Sequence, residues 1–383
     1  MKTPISKLPQ VGTTIFTTMS ALAQETGAVN LGQGFPDFGC DPRLLDMMND
    51  AMRAGLNQYP PMTGIPALRE AIAKKVSDLY GRVYDPATEV TVTAGATQAI
   101  QTALTAIVQP GDEVIIFEPV YDSYEPVIRL NGGTPIYAKL NYPDYRPNWS
   151  EVRALITPRT RAIMINSPHN PTATVWPRED FQALADLLRG TDIMLISDEV
   201  YEHMVYDGAK HLSAASFPDL AERAFVVSSF GKTYHVTGWK IAYCLAPQEL
   251  MAEFRKSHQF IVFTVHTPSQ HAIAHYMSLA THLTLSDFYQ AKRDYFLQHV
   301  KNSRFNWQPS SGTYFVLASY AHLPEFNQLP ETEFAMKLTR EFGVACIPVS
   351  AFYHDGEDHR IVRFCFAKKE ETLAVAGERL SKL

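Results

Sequence analysis

The sequence predicts an α/β protein built on a large, mostly parallel sheet sandwiched by helices, with a smaller α+β domain behind it. Three observations carry that prediction. Short β-branched runs alternate with longer helical patterns through the middle of the chain. Those runs are apolar throughout instead of alternating with polar residues, as strands buried on both faces must be. Beyond about residue 285 the pattern changes, and strands and helices no longer alternate so regularly.

Strands are expected at residues 89–94, 114–117, 162–165, 193–197 and 224–228, with helices such as 97–108 and 178–188 between them. Pro110-Gly111-Asp112, Gly132-Gly133 and Arg189-Gly190 supply the turns. In the C-terminal part, strands are expected at 313–319, 344–348 and 361–367, and helices at about 331–342 and 369–383. Residues 37–284 are therefore expected to form the large domain. Segments 1–36 and 285–383 together would form the small one, because the N-terminal stretch has no clear place in the large sheet.

Composition agrees with this size. The chain has 383 residues, enough for about two domains. With 46% hydrophobic and 19% charged residues it can bury a substantial core. A net charge of -6 leaves no basic excess to neutralise phosphates, so nucleic acid is not an expected partner. Cys40, Cys244, Cys346 and Cys365 are scattered among apolar residues without a CxxC pair. Free thiols in a reducing compartment are expected, not disulfides or a metal site. Lys2 and Lys7 precede no apolar run, so neither a signal peptide nor a membrane span is expected, and the reading is a cytoplasmic enzyme.

Ligands of open α/β sheets bind just beyond the carboxyl ends of the strands. The residues following each expected strand form a polar set: Gly95-Ala96-Thr97, Glu118-Pro119-Val120-Tyr121, Asn166 to Thr172, Asp198-Glu199-Val200-Tyr201 and Ser229-Phe230-Gly231-Lys232-Thr233. Each suits one part of a phosphorylated aldehyde cofactor. Gly95, Ala96 and Thr97 open a helix, whose free N–H groups attract a phosphate. Ser229 adds a hydroxyl and Lys240 a point charge. Lys232 condenses with an aldehyde once its amine is made neutral. Asp198 holds a pyridine nitrogen protonated, which makes the ring an electron sink. Tyr201 and Asn170 donate to a phenolate oxygen, and Tyr121 offers a face for stacking. Each feature is ordinary alone: Asn-Pro starts turns, an Asp ending a strand caps helices, and lysines are usually surface residues. Their joint order and spacing are not.

With those residues in hand, the chain resembles a fold-type I pyridoxal 5′-phosphate (PLP) dependent aminotransferase of class I/II. The similarity runs from Asn30-Leu31-Gly32-Gln33-Gly34-Phe35-Pro36-Asp37-Phe38 to Ile361-Val362-Arg363-Phe364-Cys365-Phe366-Ala367. Within that class it is most similar to the methionine aminotransferase and kynurenine/glutamine aminotransferase group. Ser228 to Lys240 matches the family's motif for the lysine that forms the Schiff base, Asp198-Glu199-Val200-Tyr201 its pyridine-nitrogen and phenolate motif, and Asn170-Pro171-Thr172 its Asn-Pro turn. The resemblance implies a seven-stranded large sheet, PLP as cofactor with no metal, and Lys232, Asp198 and Tyr201 as catalytic groups. It implies a homodimer in which Tyr59 reaches the partner's phosphate site. It makes Arg363 the clamp for the substrate carboxylate, assisted by Asn170 and the Gly34 backbone, with Phe16 covering the substrate side chain. Three departures stand out: Lys240 where many members have Arg, Gly231 where some have Ser, and Ala173 where Gly often follows Asn-Pro-Thr. The last suggests a turn that needs no positive φ.

The implied reaction is ping-pong transamination from an amino-acid donor to a 2-oxo-acid acceptor, with the freed Lys232 amine moving the donor's α-proton. No motif supplies a second arginine for a side-chain carboxylate, so neutral bulky donors are expected: methionine, aromatic residues, histidine or glutamine. The alternatives are a cysteine-conjugate β-lyase with the same cofactor grip, or a non-catalytic PLP-binding sensor. A P-loop reading of Gly231-Lys232-Thr233 fails because Val226 stands where the motif needs glycine.

Overall fold

A computed structural model describes residues 5–383, so residues 1–4 of the N-terminal segment lie outside the described residues. In chain order the strands are β1 (Val29–Asn30), β2 (Val90–Thr93), β3 (Glu113–Glu118), β4 (Thr134–Asn141), β5 (Arg146–Pro147), β6 (Thr160–Asn166), β7 (Met194–Asp198), β8 (Ala224–Ser229), β9 (Ala242–Leu245), β10 (Asn306–Trp307), β11 (Phe315–Ser319), β12 (Val344–Ala345), β13 (Ile347–Pro348) and β14 (Ile361–Cys365). The large sheet has the order β2-β9-β8-β7-β6-β3-β4-β5. Its strands β8, β7, β6, β3 and β4 are parallel, and β9 runs against both β8 and β2. The expected seven strands are all there. The eighth, β5, is a two-residue ribbon on the edge of β4, where Pro147 can sit without a ladder hydrogen bond to donate.

The apolar runs divide their side chains between two faces. Ile115, Phe117, Ile163, Ile165 and Leu195 pack against the helices Pro66–Tyr80, Arg178–Leu188 and Thr267–Tyr276. Val114, Ile116, Ala162, Met164, Ile196, Phe225 and Val227 face the helices Ala96–Ile107, Tyr124–Leu130 and Gln248–Ile261. A period of two with both sets buried is the pattern of a sheet covered on both sides.

A third apolar cluster surrounds the antiparallel sheet β10-β11-β14-β13 and the helices Leu285–Val300, Glu331–Phe342 and Glu370–Leu380. The N-terminal helix Ile15–Thr26 contributes Met19 and Leu22 to this cluster. The strand that follows it, β1, pairs in parallel with β12. The expected single strand 344–348 is two: β12 and β13 join different sheets on either side of Cys346. Among the described residues, no helix is long and apolar enough to cross a membrane. All four cysteines are free thiols.

One expectation is overturned. Ala173 adopts φ 60°, in the left-handed region its lack of a glycine argued against. That turn aims the Ala173 carbonyl at the amides of Ser311 and Gly312, which donate at 2.9 and 3.0 Å. Two backbone hydrogen bonds offset a strain of about 1 kcal/mol.

Gly64 shows where glycine cannot be replaced. At φ 96° it is buried against β2, and an added Cβ would lie 2.4 Å from Val92 Cγ2. Gly81, at φ 75°, faces open space. Gly64→Ala is expected to cost about 3 kcal/mol or more by overpacking, and Gly81→Ala about 1 kcal/mol from backbone strain alone. Thermal melts of the two variants check this; equal losses would contradict the packing argument.

Candidate active site

Strand register brings the strand ends level. Asn166 on β6 pairs with Asp198 on β7, and Ser229 on β8 and Thr93 on β2 both face Ala242 on β9. The loops that leave these ends enclose one cavity. Its lining includes Gly95, Ala96, Thr97, Tyr121, Asn170, Asp198, Tyr201, Ser229, Lys232 and Lys240. Every cofactor-binding residue expected from the sequence, Tyr59 excepted, lies on this cavity.

Two of its charged groups are shielded from water, Asp198 fully and Lys232 in part. Asp198 is buried at the end of β7, and burial raises its carboxyl to about 6. Tyr124 Oη donates to Asp198 Oδ2 at 2.5 Å and the Val200 amide to Oδ1 at 3.2 Å, which opposes that rise. Burial lowers the Lys232 amine to about 8 against the attraction of Cys365 and Asp198, and Arg363 and Lys240 lower it further. A lysine so shifted carries a usable fraction of neutral amine near neutral pH.

The phosphate end is built from backbone. The helix Ala96–Ile107 starts at Gly95 with no side-chain cap, so its first N–H groups face the cavity unclaimed by a capping side chain. Gly95 adopts φ 86°, and a Cβ there would come within 3.0 Å of Lys240 Nζ. Only glycine lets the Lys240 ammonium approach the helix end so closely. An uncapped helix N-terminus, a hydroxyl and an ammonium form a donor set suited to a phosphate dianion.

Beneath the cavity floor, Glu202 holds the loops together. It accepts from Lys75 Nζ at 2.6 Å, Tyr80 Oη at 2.5 Å, Tyr243 Oη at 2.9 Å and the Ser228 hydroxyl. Burial alone would raise the Glu202 carboxyl, yet the Lys75 ammonium and these donors hold it well below its usual range.

Arg363, on β14, closes the site from the smaller sheet and is 1% exposed. Nη1 donates to Asn170 Oδ1 at 2.5 Å and Nη2 to the Gly32 carbonyl at 3.1 Å. Its guanidinium lies 3.9 Å from the Phe315 ring centre and within 5.5 Å of those of Phe16 and Phe352. Its Nε has no partner, and among the described residues no carboxylate forms a salt bridge with it. Asp122 adds only a longer-range attraction. Gly34 stands on the same side, its carbonyl 3.3 Å from Lys232 Nζ.

A second cavity adjoins the first across Tyr121, which lines both. Phe16, Val120, Phe352, Asp122 and Arg129 are on its wall. Tyr59 alone among the expected residues is elsewhere. It is 80% exposed and packs edge-on against Phe263, in a separate surface hollow. Two residues with polar contacts at the centre escape sequence reasoning: Tyr124 and Tyr314. Tyr124 follows β3 just beyond the segment that the strand-end rule singles out. Tyr314 precedes β11 and carries no such signal.

Against this geometry, residues 26–380 match the sequence profile of aminotransferase class I and II. The chain belongs to that family. It is an aminotransferase, as the resemblance of its motifs implied. It is 50% identical over 382 residues to methionine aminotransferase of Escherichia coli, covering 99% of this chain and 98% of that protein. An Escherichia coli crystal structure reported with a methionine aminotransferase function matches at TM-score 0.97 and 50% identity, over 100% of both chains. A probable N-succinyldiaminopimelate aminotransferase of Mycobacterium tuberculosis is 41% identical over 395 residues, covering 99% of this chain and 98% of the relative. Human kynurenine–oxoglutarate transaminase 1 is 35% identical over 394 residues, covering 94% and 93%. Class I/II aminotransferases typically use PLP, and the cavity's donor set fits that group.

The aminotransferase's free amine gives a direct test of the burial argument. In cofactor-free protein, the rate at which an amine-selective reagent acylates Lys232 should rise with pH and reach half its limit near pH 8. Peptide mapping across a pH series measures it. A midpoint near that of a surface lysine, about 10.4, would show that the amine is not desolvated.

Proposed function

We propose that this aminotransferase binds PLP covalently at Lys232 and moves amino groups from neutral, bulky amino acids to 2-oxo acids. In this reading PLP supplies an aldehyde for amine exchange and a protonated pyridine ring that accepts electrons from the donor's α-carbon. Asp198 would pair with the ring nitrogen, Tyr201 and Asn170 would donate to the phenolate oxygen, and Tyr121 would stack on the ring. Gly95, Ala96, Thr97, Ser229 and Lys240 would hold the phosphate. The exposed position of Tyr59, away from its own chain's cavity, suits a homodimer in which Tyr59 of the partner subunit completes the phosphate site. Four free thiols suit a reducing cytoplasm. The separate apolar cluster around the smaller sheet suits a division into a large domain, 37–284, and a small one formed by 1–36 and 285–383.

The observation that carries the substrate assignment is Arg363. A fully buried guanidinium whose only partners are neutral leaves the site one anion short, and burying an unpaired charge is costly. An α-carboxylate fits the planar fork and supplies that charge. The cavity beside it favours neutral side chains: Phe16, Val120 and Phe352 are apolar, Asp122 repels acids, and Arg129 is engaged by Glu125 at 2.8 Å. The Escherichia coli relative's named substrate, methionine, has a side chain of that kind.

The test is a panel of amino acids in single-turnover half-reactions with the PLP-loaded protein, followed by the cofactor's absorbance. Methionine, phenylalanine, histidine and glutamine should each convert it at least about tenfold faster than aspartate or glutamate. Faster acidic donors would overturn the substrate assignment, and no conversion by any donor would overturn the transferase reading. Arg363→Lys keeps the charge but loses the fork, and should lower kcat/KM for methionine by about 100-fold, chiefly through KM. An unchanged KM in steady-state kinetics would remove Arg363 from the carboxylate site.

A further inference from the structure

We propose that Tyr314 is a positioning residue for the Lys232 amine, holding its N–H groups so that the nitrogen lone pair is left free to take the donor's α-proton. The proposal rests on the reading of Lys232 as the proton-moving amine and adds to it the group that aims that amine.

The contacts are direct. Lys232 Nζ donates to Tyr314 Oη at 2.8 Å, and Tyr314 Oη in turn donates to the Gly34 carbonyl. Lys232 Nζ also donates to that same carbonyl at 3.3 Å. A phenol has one proton to give. With that proton committed to Gly34, the Tyr314 oxygen has only lone pairs to offer the amine. A neutral amine carries two N–H groups and one lone pair, and here both N–H groups have an acceptor. The lone pair is what remains. After it accepts a proton, the new N–H lies in the direction the lone pair occupied, ready to give that proton up, while the other two stay held.

The acceptors are built in firmly. Tyr314 is fully buried, and its ring meets Tyr201 edge-on at 5.2 Å and Tyr289 at 5.7 Å. Burial pushes its phenol well above the usual range, so it stays protonated and keeps its bond to Gly34. The backbone before it is fixed at Thr313, whose amide donates to the Met204 carbonyl at 2.9 Å, and at Gly312, where a Cβ would lie 2.7 Å from Val175 Cγ2. The Gly34 carbonyl is held from both sides. Lys368, 3% exposed, donates to the carbonyls of Gln33 at 3.3 Å and Phe35 at 2.7 Å. A Cβ on Gly34 would come within 2.8 Å of the Phe315 ring, so only glycine allows this approach.

Tyr314→Phe removes the hydroxyl and keeps the ring, and Tyr289→Phe is the matched control, since the Tyr289 hydroxyl is buried without a partner. In PLP-loaded protein, Tyr314→Phe should lower kcat with methionine by about 10- to 100-fold, with KM little changed, and raise the isotope effect with α-deuterated methionine. In cofactor-free protein, the charged amine loses an acceptor, so the acylation midpoint of Lys232 should move to lower pH. Tyr289→Phe should change none of these. If Tyr314→Phe does not fold, Tyr314→Met, whose flexible chain fills the space, carries the same comparison. A Tyr314 variant with unaltered kcat, isotope effect and acylation midpoint overturns the proposal. So does a matching loss in Tyr289→Phe, which would mark a packing effect. Lys232→Ala separates the two levels: if it transaminates at the parent rate, the reading of Lys232 fails. If it is inactive while Tyr314→Phe behaves as the parent, only the role of Tyr314 fails.

Discussion

Burial of three charged side chains around one cavity governs the rest of this structure. Asp198 and Arg363 are fully buried and Lys232 is partly so, and none has a full ionic partner within the chain. Each is held by neutral or backbone groups instead: Tyr124 and the Val200 amide on Asp198, Tyr314 and Gly34 on Lys232, Asn170 and Gly32 on Arg363. Such an arrangement is unfavourable in isolation and becomes favourable when ligands bring the missing charges. In the proposed reading, a protonated ring nitrogen opposite Asp198 and a carboxylate opposite Arg363 would supply those charges.

The fold makes that arrangement possible by separating support from chemistry. The parallel strands pack their apolar side chains into helices on both faces and gather a cluster of polar groups at their carboxyl ends. The fully paired Lys75–Glu202 cluster lies under those ends and fixes the loops by hydrogen bonds that are satisfied inside the protein. Arg363 is different, because it joins three separate parts of the chain: β14, the Asn170 turn after β6, and the segment at Gly32. The Arg363 guanidinium is thereby tied to the relative placement of the two sheets. Parallel pairing of β1 with β12 keeps that N-terminal segment in position.

Much of this was legible in the sequence, for physical reasons. Five strands of the large sheet, β2, β3, β6, β7 and β8, showed as apolar runs because both of their faces are covered. The strand-end rule then gathered residues from Gly95 to Lys232 onto one cavity without any knowledge of distances. Three strands of the large sheet escaped. In β4, Pro135 and the polar Lys139 and Asn141 interrupt the pattern near the sheet edge, and β5 and β9 are only two and four residues long. Ala173 defied its residue type because two amides claim its carbonyl, a long-range effect that local preference cannot register. Tyr314 and Tyr124 were invisible for the same reason: each matters only through one hydroxyl reaching a group more than seventy positions away in the chain.

The account stands on a covalent bond at one lysine. Protein saturated with pyridoxal phosphate, reduced with borohydride, digested and mapped by mass spectrometry tests it most directly. The account predicts a reduced pyridoxyl phosphate adduct on the peptide containing Lys232, at one equivalent per chain. An unmodified Lys232, or an adduct confined to other lysines, would contradict it.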